Sequence, residues 1–184
     1  MRDLSLHILD LAQNSVRAEA KLVSLSVLLD EEGKLSVIIE DDGCGMSEEL
    51  LARVQSPFAT TRTTRKVGLG IPMMAENCRL AGGNLSIEST PGKGTQLLAT
   101  MDTASIDCLP LGDLAGTVTA LVTANPEKPD FLLNCASPKG EMQFDTREIR
   151  AALQGVSFAE PEIAAWIMES LQEELQPIFG GVTL

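Results

Sequence analysis

Along residues 3–18 the apolar positions Leu4, Ile8 and Leu11, with Leu9, Ala12 and Val16 beside them, recur every three to four residues. That is the period of an amphipathic helix. Over 21–30 and 35–41 the pattern changes to apolar, β-branched-rich runs around Glu31-Glu32-Gly33-Lys34, which predicts an antiparallel hairpin. Ser47 ahead of Glu48 and Glu49 predicts an N-cap and an acidic first turn for a short helix to about residue 54. Residues 55–67 have no periodicity and hold four Thr, two Arg and a Lys, so they read as a polar loop. A second long helix opens at Gly70 and stops at Gly82-Gly83. A second hairpin follows, with strands over 84–89 and 94–101. The order α-β-β-α-loop-α-β-β predicts a single sheet with helices on one face.

Beyond residue 102 the pattern is weaker. Residues 103–116 read as a connector carrying Pro110, Gly112 and Gly116. Leu111, Leu114, Val118, Leu121 and Val122 form a helical stripe ended by Asn125-Pro126, although Val118, Ala120, Val122 and Ala124 also alternate as in a strand; length favours the helix. Residues 131–136 and 141–144 predict a strand pair. Asp145 with Glu148 predicts a capping box for a helix through Leu153, and a last amphipathic helix covers 160–176. The expected organisation is α+β: residues 1–102 as one domain and residues 103–184 as a smaller accessory α/β module.

Charge narrows the partners. The chain has 26 acidic and 14 basic residues, net −12, which repels polyanions and argues against nucleic acid. Residues 1–102 hold 14 acidic and 10 basic residues (net −4) and 103–184 hold 12 and 4 (net −8), so the tail is the acidic part. The four cysteines, Cys44, Cys78, Cys108 and Cys135, have no metal-ligand spacing, which fits reduced thiols in a cytoplasm. Asp3, His7 and Asp10 interrupt the apolar residues at the start, and no apolar run approaches 18 residues. Neither a signal peptide nor a membrane span is expected.

Several positions carry candidate chemistry. Asp10 and Asn14, four residues apart, share one helix face, and their oxygens suit a hydrated Mg2+; taken alone, the pair reads better as ordinary polar residues on a solvated stripe. Asp41-Asp42-Gly43-Cys44-Gly45-Met46 follows a strand. There a carboxylate can accept from an exocyclic amino group while the glycines let backbone approach a flat ligand. Gly68-Leu69-Gly70 opens a helix, where free N–H groups and the helix dipole favour phosphate, with Arg62, Arg65 and Lys66 just before it. Gly92-Lys93-Gly94-Thr95 is a hairpin turn.

In this order, the elements resemble the GHKL ATPase superfamily of gyrase-type topoisomerases, heat-shock chaperones, histidine kinases and MutL proteins, over residues 1–102. Asp10-x-x-x-Asn14 is similar to its N box, Asp41-x-Gly43-x-Gly45 to the first glycine box, Pro57-Phe58 to the F box, Gly68-x-Gly70 to the second glycine box, and Gly92-x-Gly94-Thr95 to the last. The stretch from Ser56 to Thr95 resembles histidine-kinase catalytic domains with a short ATP lid.

The resemblance implies a Bergerat-type α/β sandwich, with a mixed, mostly antiparallel sheet, that binds Mg-ATP. It places Asn14 on Mg2+, Asp41 on the adenine amino group with Thr95 in support, Gly43, Gly45, Met46, Phe58 and Leu69 around the nucleotide, and Gly68 and Gly70 on the phosphates. Arg62, Arg65 or Lys66 would reach the phosphates from the lid. Asp10 stands where hydrolysing members carry the water-activating Glu. No residues are available for a phosphoacceptor domain, and His7, inside the ATPase core, reads as structural or site-lining. The expected protein is a cytoplasmic, stand-alone histidine-kinase-like ATPase or kinase acting on a protein partner in trans; the alternative is an ATP-gated interaction switch. The reading admits a homodimer.

Overall fold

The computed structural model describes residues 2–55 and 69–180. Among the described residues, the elements run α1 (Leu4–Arg17), β1 (Leu22–Leu29), β2 (Lys34–Asp41), α2 (Glu48–Gln55), α3 (Gly70–Leu80), β3 (Asn84–Thr90), β4 (Gly94–Asp102), α4 (Leu114–Ala124), β5 (Asp130–Ser137), β6 (Gly140–Asp145), α5 (Thr146–Leu153) and α6 (Pro161–Phe179). The strands form one sheet in the order β3-β4-β2-β1-β5-β6. Every pairing is antiparallel except β1 with β5, which run parallel.

One face of that sheet is the core. The register sets Val27 opposite Val37 and Cys135, Leu25 opposite Ile39 and Leu133, and Ile39 opposite Leu97, all buried. Their chain neighbours Ser24, Ser26, Ser36 and Gln96 lie on the other face, half-buried or exposed. The period-2 alternation of β1 and β2 is therefore the signature of a sheet covered on one side. Leu4, Ile8 and Leu11 of α1, Met74 and Cys78 of α3, Leu121 of α4, and Ile167 and Leu171 of α6 close over the buried face in one cluster.

The tail joins the same body. β5 lies beside β1, so sheet and core both cross the expected division at residue 102. The connector also caps α1: the N–H groups of Leu4 and Ser5 donate to Pro110 O and Leu111 O, each at 2.9 Å, and Asp3 accepts from the Leu6 N–H at 3.0 Å. Three of the donors left open at a helix start are thus satisfied.

Two tail expectations change in detail. Asp145 caps α5 by accepting from the Arg147 N–H at 2.9 Å rather than from that of Glu148, and the Arg147 guanidinium also donates to its carboxylate at 2.7 Å. That grip holds the Asp145 carboxyl below its ordinary range. Helix α6 runs past 176 and through Pro177 to Phe179. Pro177 forfeits one hydrogen bond in the last turn, while Ile178 and Phe179 are buried by the continuation.

Candidate functional site

The site is assembled where α1, the end of β2, α2, the start of α3 and the β3–β4 hairpin meet. They enclose a cavity of about 260 Å3 whose lining includes Asn14, Asp41, Gly45, Met46, Ile71 and Thr95. Its walls are mainly apolar, with Leu11, Ile39, Val54, Ile87 and Leu97 among them. A few polar groups converge on an apolar slot, the usual composition of a site for a flat ligand.

Asp41 is held from two sides. Its Oδ2 accepts from Ser15 Oγ at 2.5 Å and its Oδ1 from the Gly43 N–H at 2.9 Å. These bonds fix the carboxylate's orientation and leave it further lone pairs for a donor in the cavity. Thr95 is the cross-strand partner of Asp41, and its hydroxyl is 2.8 Å from Ser89 Oγ, which also accepts from the Met46 N–H at 2.8 Å. The glycine turn is thereby tied to the hairpin. Gly45 has φ +64°, and a Cβ there would stand 2.0 Å from Thr90 O, so any side chain would push the turn off the hairpin. Asp42 pins the turn to the start of β1 by accepting from the Lys21 and Leu22 N–H groups at 2.7 and 2.9 Å. The Leu22 N–H, foremost, holds its carboxyl below the ordinary range.

The other end of the cavity lies between α1 and α3. Asp10 Oδ2 packs on Gly70, where a Cβ would come within 2.0 Å of it. Helix α3 begins at Gly70 with no side-chain cap, so its start presents the Gly70 and Ile71 N–H groups and the positive end of the helix dipole, whereas Pro72 has no N–H and the Met73 N–H bonds Leu69 O at 3.0 Å. Asn14 Oδ1 accepts from Arg17 Nη1 at 3.1 Å. The oxygens of Asn14 and Asp10 are of the hard kind that Mg2+ takes, so these residue types fit the ion.

The structure therefore brings Asn14, Asp41, Gly45, Met46 and Thr95 to one cavity, with Gly43 bound to Asp41 and Asp10 against Gly70. Leu69 is the N-cap residue of α3, is 59% exposed, and is not among the residues that line the cavity. Residues 56–68, and with them Phe58, Arg62, Arg65, Lys66 and Gly68, lie outside the described residues. Ser15, Arg17 and Ser89 are polar contributors that the motif reading passes over. Ser15 had one signal, its place next to Asn14; Ser89 acts only through the β3–β4 register.

His7 is fully buried. Asn77 Nδ2 on α3 lies 2.8 Å from its Nε2, while its Nδ1 has no hydrogen-bond partner among the described residues. Burial lowers its pKa from the ordinary 6.5, so the ring is neutral and acts as a structural link between α1 and α3. Because the folded value is depressed, its contribution to stability is complete above the unfolded value and is lost as pH falls through the folded one. Melting temperature should thus fall further between pH 7.5 and pH 5 in the parent than in His7→Leu; identical pH slopes would contradict this assignment. Burial likewise pushes Cys78 up to about 11 and Cys135 to about 12, which makes both thiols unreactive packing groups.

The family model described as Histidine kinase-, DNA gyrase B-, and HSP90-like ATPase matches residues 2–105. Among curated proteins, the chain is 42% identical over 60 residues to a putative sensor protein of Shewanella frigidimarina, covering 32% of this chain and 9% of that protein. It is 32% identical over 89 residues to the sensor histidine kinase ZraS of Klebsiella oxytoca, covering 47% and 19%. Sporulation kinase D of Bacillus subtilis is 30% identical over 95 residues, covering 51% and 19%. The chain thus spans less than a fifth of the length of these relatives. Among solved structures, the N-terminal domain of a DNA repair protein is similar in fold, with a TM-score of 0.50 at 15% identity, covering 79% of this chain and 52% of that one. That coverage exceeds residues 2–105, so the likeness in fold extends into the tail.

Proposed function

The chain belongs to the histidine kinase-, DNA gyrase B- and HSP90-like ATPase family, and from that premise we propose that it binds Mg-ATP and transfers the γ-phosphoryl group to a protein partner in trans. The observation that carries this reading is the Asp41 carboxylate, oriented by Ser15 and Gly43 in an apolar-walled cavity. Such a group accepts from the amino group of adenine, while Ile39, Ile87 and Leu97 cover the ring faces. At the other end, the first turn of α3 receives the phosphates. Mg2+, held by Asn14 Oδ1 with Asp10 in support, would neutralise charge on the phosphate oxygens. Asp10, packed on Gly70, orients the attacking group. In this reading residues 103–184 are the accessory module and act by holding α1, which carries Asp10 and Asn14, in place. No helix among the described residues is long and apolar enough to cross a membrane.

A second reading rests on α3. Leu69 and Met73, one turn apart at its start, are 59% and 38% exposed, an apolar surface beside the phosphate end for a partner to sense. In that case ATP gates an interaction without phosphotransfer. Incubation of the full chain with γ-labelled ATP and co-purified partners separates the two. Label on a partner supports the kinase; ATP-dependent complex formation with unlabelled partner supports the switch.

A further inference from the structure

Trp166, the chain's one tryptophan, stands on α6 with half its surface open, outside the hydrophobic cluster. A ring of that size is normally largely buried, and an exposed one marks a contact surface. Its surroundings on the helix are acidic. Glu162, Glu169 and Glu173 fall four residues before it, three after and seven after, so all three share its face of α6. None of them forms an ion pair among the described residues. One turn before Trp166 the stripe meets a groove of about 700 Å3 at the start of α6, lined by Val156, Pro161 and Ile163 together with Glu160 and Glu162. Val156 is itself half-exposed there.

Charge selects the occupant. Residues 151–184 contain five Glu and no Lys, Arg or His, so α6 supplies no cation of its own. The preceding cation in the chain, Arg150, is engaged by Asp130 at 3.0 Å, by Pro126 O at 2.7 Å and by the Phe158 ring. Two copies of this chain meeting through the stripe would oppose Glu to Glu, and a nucleic acid or an anionic lipid surface would be repelled. A basic protein segment meets every feature of the surface. Its cations pair with the carboxylates, a guanidinium stacks on the indole, and an apolar side chain enters the groove against Val156 and Ile163. We propose that the acidic, tryptophan-bearing face of α6 is a docking surface for a segment of a protein partner that carries apolar side chains among Arg and Lys. The surface shares no residue with the nucleotide cavity, so it stands whether or not phosphoryl transfer occurs.

The probe is a synthetic helical peptide of Leu and Arg without aromatic residues. It is titrated into the nucleotide-free full chain by calorimetry and by the fluorescence of Trp166, the one emitter, since the chain has no Tyr. The parent should bind one equivalent with a shift in tryptophan emission, and more weakly as salt rises. Trp166→Ala removes a side chain outside the core, so its melting temperature should stay near the parent's while affinity for the peptide falls about tenfold. Glu162→Lys with Glu169→Lys should lower affinity by at least as much. The same charge change at the exposed β1–β2 turn, Glu31→Lys with Glu32→Lys, should alter it by less than about twofold. Equal losses for the two reversed pairs would mean that net charge alone attracts the peptide and would overturn the proposal; so would unchanged affinity in Trp166→Ala, or no binding by the parent. A parent that sediments as a dimer and becomes monomeric in Trp166→Ala would give the face to a second copy of the chain, and overturn it as well.

Discussion

Asp41→Asn is expected to weaken ATP binding by about 100-fold or more, beyond the reach of a standard titration, while leaving the melting temperature within a few degrees of the parent. The two effects part because the groups that hold Asp41 tolerate an amide better than the ligand does. An asparagine can accept from the Gly43 N–H with its oxygen and turn its NH2 toward Ser15, whose hydroxyl rotates from donor to acceptor. The fold keeps both contacts. Adenine, in contrast, then meets a donor where its own amino group needs an acceptor, and the charge that strengthened the bond is gone. Losing a charge-assisted bond and gaining a buried donor–donor clash together amount to about 3 kcal/mol. Unchanged affinity in this variant would remove Asp41 from the site.

Ending the chain at residue 102 should abolish cooperative unfolding and, with it, ATP binding. β1 would lose its parallel partner β5 and stand as an open edge. Leu4 and Ser5 would lose the carbonyls of Pro110 and Leu111 that receive their N–H groups. Val118, Leu121, Val122, Phe131 and Leu133, all buried, would leave the face they cover. Each such side chain represents about 1.5–3 kcal/mol of burial, against a total stability of about 5–15 kcal/mol for a typical domain. The shortened chain should show no sharp thermal transition and should aggregate. A cooperative melt with ATP bound by residues 1–102 alone would show that the tail is dispensable for the site.

Local pattern carried much of this architecture. The three-to-four spacing of Leu4, Ile8 and Leu11, the alternation of Leu25, Val27, Val37 and Ile39, and Gly82-Gly83 after α3 are local signals, and each corresponds to an element. Their legibility has one cause: every one of these elements buries a single face, so its period is visible. The place of the tail was less visible. That β5 lies parallel to β1, across a crossover containing α4, depends on contacts more than 100 residues apart, such as Val23 with Phe131, which no local pattern encodes. The same limit applies within the site. Asp10, Asn14, Asp41 and Thr95 stand out by motif, whereas Ser15 and Ser89 matter only because β2 and β4 bring Asp41 and Thr95 to them. Arg17 is a common residue at a helix C-terminus, and its bond to Asn14 distinguishes it only in three dimensions.

Recognition of a nucleotide's adenine by Asp41 is the step on which the proposed function turns. It is tested most directly by titrating the full chain with Mg-ATP and Mg-GTP in one calorimetric experiment. Guanine presents a carbonyl oxygen where adenine presents its amino group, so the carboxylate that attracts one repels the other. ATP should bind saturably at one equivalent, with GTP weaker by about 100-fold or more. Equal affinity for the two nucleotides, or no heat with either, would contradict it.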